Sequence, residues 1–129
     1  MNKPDLVKVM QKDLHLVRRL LDMHTECRSG AQKDALANTV AVFVQTVVNT
    51  MVRYQICCSG CESPEYRLIE DLIKYAKEQR IEMILPEEIV PCIDLLDSVE
   101  TGTFIDGDGF AMIQDLIPVL EDYVQKLER

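Results

Sequence analysis

Apolar residues recur every three or four positions along most of the chain, and no other feature constrains the fold as strongly. Positions with this spacing lie on one face of an α-helix, because the helix has about 3.6 residues per turn. Residues 4–27 show the pattern first, and Pro4 suits a first helical turn. Residues 28–30 predict the end of this helix. The residues on its predicted core face are Leu6, Met10, Leu14, Val17, Leu21 and His24.

Residues 32–57 are rich in valine, which favours β-strands. The polar residues of this segment nevertheless fall on one stripe at helical spacing, whereas a half-buried strand would alternate polar and apolar residues. This stripe consists of Asn38, Gln45, Asn49 and Arg53. The pattern therefore predicts a long, largely buried second helix.

Two further helices are predicted in the middle of the chain. Ser63 and Pro64 have the residue types of a helix cap and a first turn, so they predict a third helix that runs to Arg80. The fourth helix is expected to begin near Pro86 and to end before Gly102.

A fifth helix is expected to follow the fourth, with Asp108 as its N-cap and a bend at Pro118. Within the fourth helix, Pro91 should shift the start of the helix or kink its first turn. The 129 residues are close to the commonest size of a single domain. Together these features predict an all-α fold, an antiparallel bundle of about five helices that forms one domain over residues 1–129.

Charge divides the chain into two unequal parts. Residues 1–56 carry eight Lys/Arg against five Asp/Glu, whereas residues 57–129 carry six against seventeen. Residues 81–125 contain eleven acids and no Lys, Arg or His. The net charge of −8 disfavours nucleic acid and anionic membranes as partners.

Two interpretations of the acidic half are open: a solvated face that keeps the protein in solution, or a docking surface for a basic protein partner. Only a docked partner should be released by salt. The predicted contact residues are Glu87, Glu88, Asp94, Asp97 and Glu100. A homodimer is also predicted, because the uncharged stripe of the second helix could need a second copy to bury it.

Three cysteines, Cys57, Cys58 and Cys61, lie within five residues of one another. The Cys58-x-x-Cys61 spacing is found in redox pairs and in half of a zinc site. Cys61 is expected just before the third helix, where the helix dipole favours a thiolate. Three interpretations follow: packing thiols, a redox pair, or a site for zinc or another thiophilic metal.

The segment Asp106-Gly107-Asp108-Gly109 resembles the middle of a calcium-binding loop. When Gly109 is aligned with the loop glycine, Phe104 occupies the first ligand position, which requires a carboxylate. A turn followed by a helix cap explains Asp106 and Asp108 more simply than calcium does.

No catalytic residues can be assigned, because the chain has two histidines and no nucleophile motif. The first residues lack the apolar segment of a signal peptide, and residues 35–52 are uncharged but too polar for a membrane span. Five cysteines are then typical of a reducing compartment, so we expect a cytoplasmic location. The expected function is a non-catalytic regulatory module that needs no cofactor and binds a basic protein. The alternative is a thiol-based redox or metal-responsive protein.

Overall fold

The computed structural model describes residues 2–128, which form five α-helices and one short 3₁₀ helix, with no strand among them. The all-α prediction is confirmed. The α-helices are α1 (Lys3–Glu26), α2 (Gly30–Cys58), α3 (Ile69–Glu78), α4 (Ile93–Glu100) and α5 (Gly107–Leu127), and the 3₁₀ helix spans Val90–Cys92.

The first two helices follow each other almost without a break, because each has its own polar cap. The Asn2 side chain accepts a hydrogen bond from the Asp5 amide at 3.0 Å. Ser29 caps α2 by accepting one from the Gln32 amide at 3.4 Å. Gly30, expected to help end the first helix, is therefore the first residue of the second.

The central element is α2, which packs against α1 along its length and also contacts α3, α4 and α5. Its valines, which favour strands in isolation, are accommodated because tertiary packing outweighs local propensity. Buried apolar residues from all five helices join them in one core. The fully buried valines of α2 are Val40, Val44, Val47, Val48 and Val52.

The polar stripe of α2 holds the connection between α2 and α3. Gln45 Nε2 donates to the Arg67 carbonyl at 2.8 Å. Asn49 Nδ2 donates to the carbonyls of Tyr66 at 3.0 Å and Arg67 at 2.9 Å. Both side chains are buried within one chain. The need to bury this stripe therefore no longer argues for a homodimer.

Two more side chains of α2 hold the other long connections in the same way. Gln55 pairs with Ile84, between α3 and the 3₁₀ helix: its Oε1 accepts from the Ile84 amide at 2.8 Å, and its Nε2 donates to the Ile84 carbonyl at 2.6 Å. Asn38 Oδ1 accepts from the amide of Ile105, between α4 and α5, at 3.4 Å. Amide side chains on α2 thus anchor all three connections.

The third helix begins later than predicted, at Ile69 and not at Ser63 or Pro64. Its N-terminal amides are capped by Asp97 of α4. The Asp97 carboxylate accepts from the Ile69 amide at 2.8 Å and from the Glu70 amide at 3.0 Å. The start of α3 is therefore set by a cap that a different helix supplies, and not by the local cap residues Ser63 and Pro64.

The fourth helix begins at Ile93 and not near Pro86, and the fifth helix differs from the prediction at its cap. Pro91 shifts the start of α4 as predicted, since a 3₁₀ turn precedes the α-helix. The N-cap of α5 is Asp106 and not Asp108, because Asp106 Oδ1 accepts from the Gly109 amide at 2.7 Å. Pro118 lies inside α5.

By length and composition alone, α2 is the one helix of residues 2–128 that could cross a membrane. Within the fold, 56% of its most apolar 18-residue window is buried. A buried core helix meets the same criteria, so this property does not assign α2 to a membrane.

Candidate functional site

Three of the five predicted contact acids lie on the outside of the molecule. Glu87, Glu88 and Asp94 are exposed. None of them forms an ion pair with any residue between positions 2 and 128. These carboxylates are available to a cation from outside.

The other two predicted contact acids already have partners in the fold, which corrects that part of the prediction. Asp97 is only 8% exposed, and besides capping α3 it accepts from Gln45 Nε2 at 3.3 Å. Glu100 pairs with Arg67, at 2.9 Å between its Oε1 and an arginine Nη. Asp97 is therefore a structural residue, and Glu100 is largely neutralised.

A carboxylate of α5, Asp115, lies near Cys92 of the 3₁₀ helix. Burial raises the pKa of the Cys92 thiol, and the nearby negative charge of Asp115 raises it further. Asp115 is itself exposed, and Cys92 Sγ donates to the Glu88 carbonyl at 3.7 Å. We call the group Glu87, Glu88, Asp94 and Asp115 the acidic surface.

Large apolar side chains are exposed in the same acidic segment of the chain. Ile84 is 73% exposed and Phe104 is 72% exposed, and Val90 and Met112 are also exposed. Exposed apolar side chains mark an interaction site where they form a contiguous patch. The segment thus presents apolar groups together with its charge.

The three clustered cysteines are free and do not face one site. Cys57 lines a cavity of about 750 Å³, whereas Cys58 and Cys61 line a separate cavity of about 580 Å³. In the part of the chain that the structure describes, no three His, Cys, Asp or Glu side chains are grouped to hold a metal. The geometry thus divides the predicted trio into a pair and a single thiol.

Polar residues surround the pair in what we call the thiol cavity, defined by Cys58, Cys61, Gln55, Arg80 and Tyr123. Gln55 Nε2 lies 3.2 Å from Tyr123 Oη. Burial raises the pKa of Tyr123, so its hydroxyl is protonated at neutral pH. Arg80 has a φ of 57°, a left-handed conformation that favours glycine after a helix.

The predicted help from a helix dipole does not reach Cys61. Because α3 begins at Ile69, Cys61 lies eight residues before the helix and not at its N-terminus. The dipole acts mainly within the first turn. Two charged residues of opposite sign, Arg80 and Glu82, line the same cavity as Cys61.

The aspartates of the calcium-like loop have structural roles or none. Asp106 caps α5, and Asp108 is an exposed residue of its first turn. Phe104 points into solvent at the position where a calcium ligand is required. A turn followed by a cap describes this segment.

Arg53 is a candidate for binding that was not predicted from the sequence. Arg53 lines the same cavity as Cys57, and its Nε is buried without a hydrogen-bond partner. The available signal was its position, as the single charged residue of an otherwise uncharged polar stripe.

No protein-family model, curated protein or solved structure matches the chain significantly. Function is therefore inferred from three features of the molecule itself: the acidic surface, the thiol cavity and the cavity at Arg53.

Proposed function

We propose that the protein is a non-catalytic interaction module of the cytoplasm, a single-domain antiparallel helical bundle that binds a basic protein partner through its acidic C-terminal half. The observation that carries the proposal is the set of exposed carboxylates without an ion pair, Glu87, Glu88 and Asp94. Carboxylates without counter-charges attract a basic partner by long-range electrostatics.

The exposed apolar side chains favour docking over a purely solubilising role. A surface that only keeps a protein in solution gains nothing from Ile84 and Phe104 standing almost free in solvent. Protein interfaces combine apolar anchors with a charged rim. The proposed partner therefore carries both basic and apolar groups, as one face of a basic amphipathic helix does.

Charge reversal tests the docking proposal. The probe is a 20-residue amphipathic peptide of Leu and Lys, compared with a scrambled peptide of the same composition. The triple variant E87K/E88K/D94K should bind the amphipathic peptide at least about tenfold more weakly, because three attractions become repulsions. Calorimetric titration at low salt and at high salt measures this, and salt should weaken wild-type binding.

A matched variant separates local docking from the overall charge. D22K/E26K/D34K reverses three exposed acids in the first third of the chain and changes the net charge equally. It should retain most of the affinity. Equal losses in the two triple variants, or no preference for the amphipathic peptide, would contradict a docking surface at Glu87, Glu88 and Asp94.

We propose redox chemistry of the thiol cavity as a second candidate function, because Cys58 and Cys61 line the same cavity as Arg80. The oxidant class is a low-molecular-weight disulfide. The exposed Cys58, as thiolate, attacks one sulfur of that disulfide and releases one thiol. Cys61 then attacks Cys58 Sγ and releases the second thiol as the Cys58–Cys61 disulfide forms. The dithiol loses two electrons and two protons, which reduce the oxidant.

Single serine variants test the redox candidate. With oxidised glutathione, wild type and C57S should each form one internal disulfide, because Cys57 lines a different cavity. C58S and C61S should stop at a mixed disulfide with glutathione. Intact-protein mass spectrometry distinguishes the two products. If C57S also fails to form the internal disulfide, the pairing is wrong.

A further inference from the structure

Among residues 2–128, Arg53 Nε has no hydrogen-bond partner, although the other three residues of the polar stripe of α2 each form at least one hydrogen bond. Asn38, Gln45 and Asn49 each contact a connection of the fold. Arg53, the next residue of the stripe, forms no ion pair within residues 2–128. Its Nε is shielded from solvent without an acceptor. A partly buried guanidinium group without a partner is unfavourable unless an acceptor arrives from outside.

Arg53 lies in the wall of a cavity that two carboxylates also line. We call this the arginine cavity, defined by Arg53, Glu62, Glu65, Leu6 and Tyr75. Its volume of about 750 Å³ falls in the range of roughly 300–1,000 Å³ that small-molecule sites occupy. Because Nε is enclosed, the two Nη groups are the atoms that can meet a ligand.

The wall that carries the two glutamates is fixed at both ends, so the cavity exists without a ligand. Tyr75 Oη donates to the Glu62 carbonyl at 3.1 Å. At the other end, Asn49 Nδ2 donates to the Tyr66 carbonyl at 3.0 Å. Glu62 and Glu65 are exposed. Neither pairs with Arg53 in the described part of the chain.

The charges of the cavity select the class of ligand. A simple anion would be attracted by Arg53 and repelled by the two carboxylates. A simple cation would be attracted by the two carboxylates and repelled by Arg53. A ligand with both charges, separated along its length, satisfies both sides. We propose that the arginine cavity binds a small zwitterion of the amino-acid or short-peptide class, with its carboxylate on Arg53 and its ammonium group at Glu62 or Glu65.

Trialanine and its two capped forms test this proposal on the full-length protein. N-acetyl-trialanine lacks the ammonium group, and trialanine amide lacks the carboxylate. Titration calorimetry should show binding of trialanine, and affinity at least about tenfold weaker for each capped form, since each loses one charge-assisted contact. Equal binding of all three peptides, or none by trialanine, would overturn the proposal.

Variants assign each charge to its side of the ligand. R53Q should lose trialanine binding about tenfold or more. R28Q is the matched control: Arg28 is exposed and precedes α2, so it lies roughly 35 Å from Arg53 along the helix axis. R28Q should bind as wild type does.

Substitution of Glu62 and Glu65 tests where the ammonium group binds, and the result does not depend on any structural role of Arg53. E62Q/E65Q should lose the discrimination between trialanine and its N-acetyl form, while still preferring trialanine to the amide. If E62Q/E65Q keeps the full discrimination against the N-acetyl form, the assignment of the ammonium group to these residues is wrong. The double variant alters only exposed side chains of a connection, so its fold should be intact.

Discussion

Replacing Asp97 by alanine is expected to lower the free energy of unfolding by about 2–4 kcal/mol. The carboxylate caps α3 and also accepts from Gln45 Nε2. Loss of an N-cap alone costs about 0.5–2 kcal/mol. The alanine variant also leaves buried donors without acceptors, at about 1–3 kcal/mol. Urea denaturation followed by circular dichroism measures the loss.

Two further variants make the Asp97 result specific. D94A removes an exposed acid from the same helix and should change stability by less than about 0.5 kcal/mol. D97N keeps one acceptor oxygen in nearly the same shape, so its stability should lie between wild type and D97A. If D97A were as stable as D94A, Asp97 would not be the cap of α3.

Replacing Met51 by alanine is expected to lower the free energy of unfolding by about 2–5 kcal/mol. Met51 is 0% exposed and lies on α2, the helix that all the others contact. Truncation removes apolar contacts and leaves a cavity that the surrounding helices can close only in part. The same urea denaturation gives the free energy and midpoint.

The chain contains a methionine that isolates the effect of burial. Met23 also lies on a helix, α1, but Met23 is 54% exposed. M23A makes the same chemical change, and it should alter stability by less than about 0.5 kcal/mol. Similar losses in M51A and M23A would mean that α2 is not the centre of the core.

The helices could be predicted because their apolar residues repeat with a regular period. The stripe from Leu6 to Val17 is buried as the spacing predicts, and so are Phe110 and Ile113 of α5. For α2, the regular spacing of its polar residues correctly outweighed the strand preference of valine. Local pattern is sufficient where the neighbours of a residue in sequence determine which face it occupies.

The start of α3 could not be predicted in this way, because its cap comes from another helix. Asp97 lies 28 residues after Ile69 in sequence. Ser63 and Pro64 have the right residue types for a helix start, but the chain there belongs to a connection held by α2. Boundaries set by tertiary contacts are not visible in a window of neighbouring residues.

Composition could locate the candidate site only as a region of the chain. The excess of acids in residues 81–125 was evident, but charge alone does not distinguish the exposed Asp94 from the buried Asp97. One sequence signal for the burial of Asp97 was present. Asp97 follows the apolar residue Ile93 by four positions, so the two side chains lie on the same face of α4. The Cys58-x-x-Cys61 spacing singled out the two thiols that line one cavity, but it does not show that Cys57 lines another.

Separate anchors on α2 allow the connections of this protein to fluctuate one at a time. Asn49 holds the wall of the arginine cavity, and Gln55 holds the wall of the thiol cavity near Ile84. Neither anchor shares a partner with the other, so local opening at one connection need not release the second. A ligand that rigidifies the arginine cavity would cover Cys57 but leave Cys58 and Cys61 as accessible as before, because these two thiols line the other cavity.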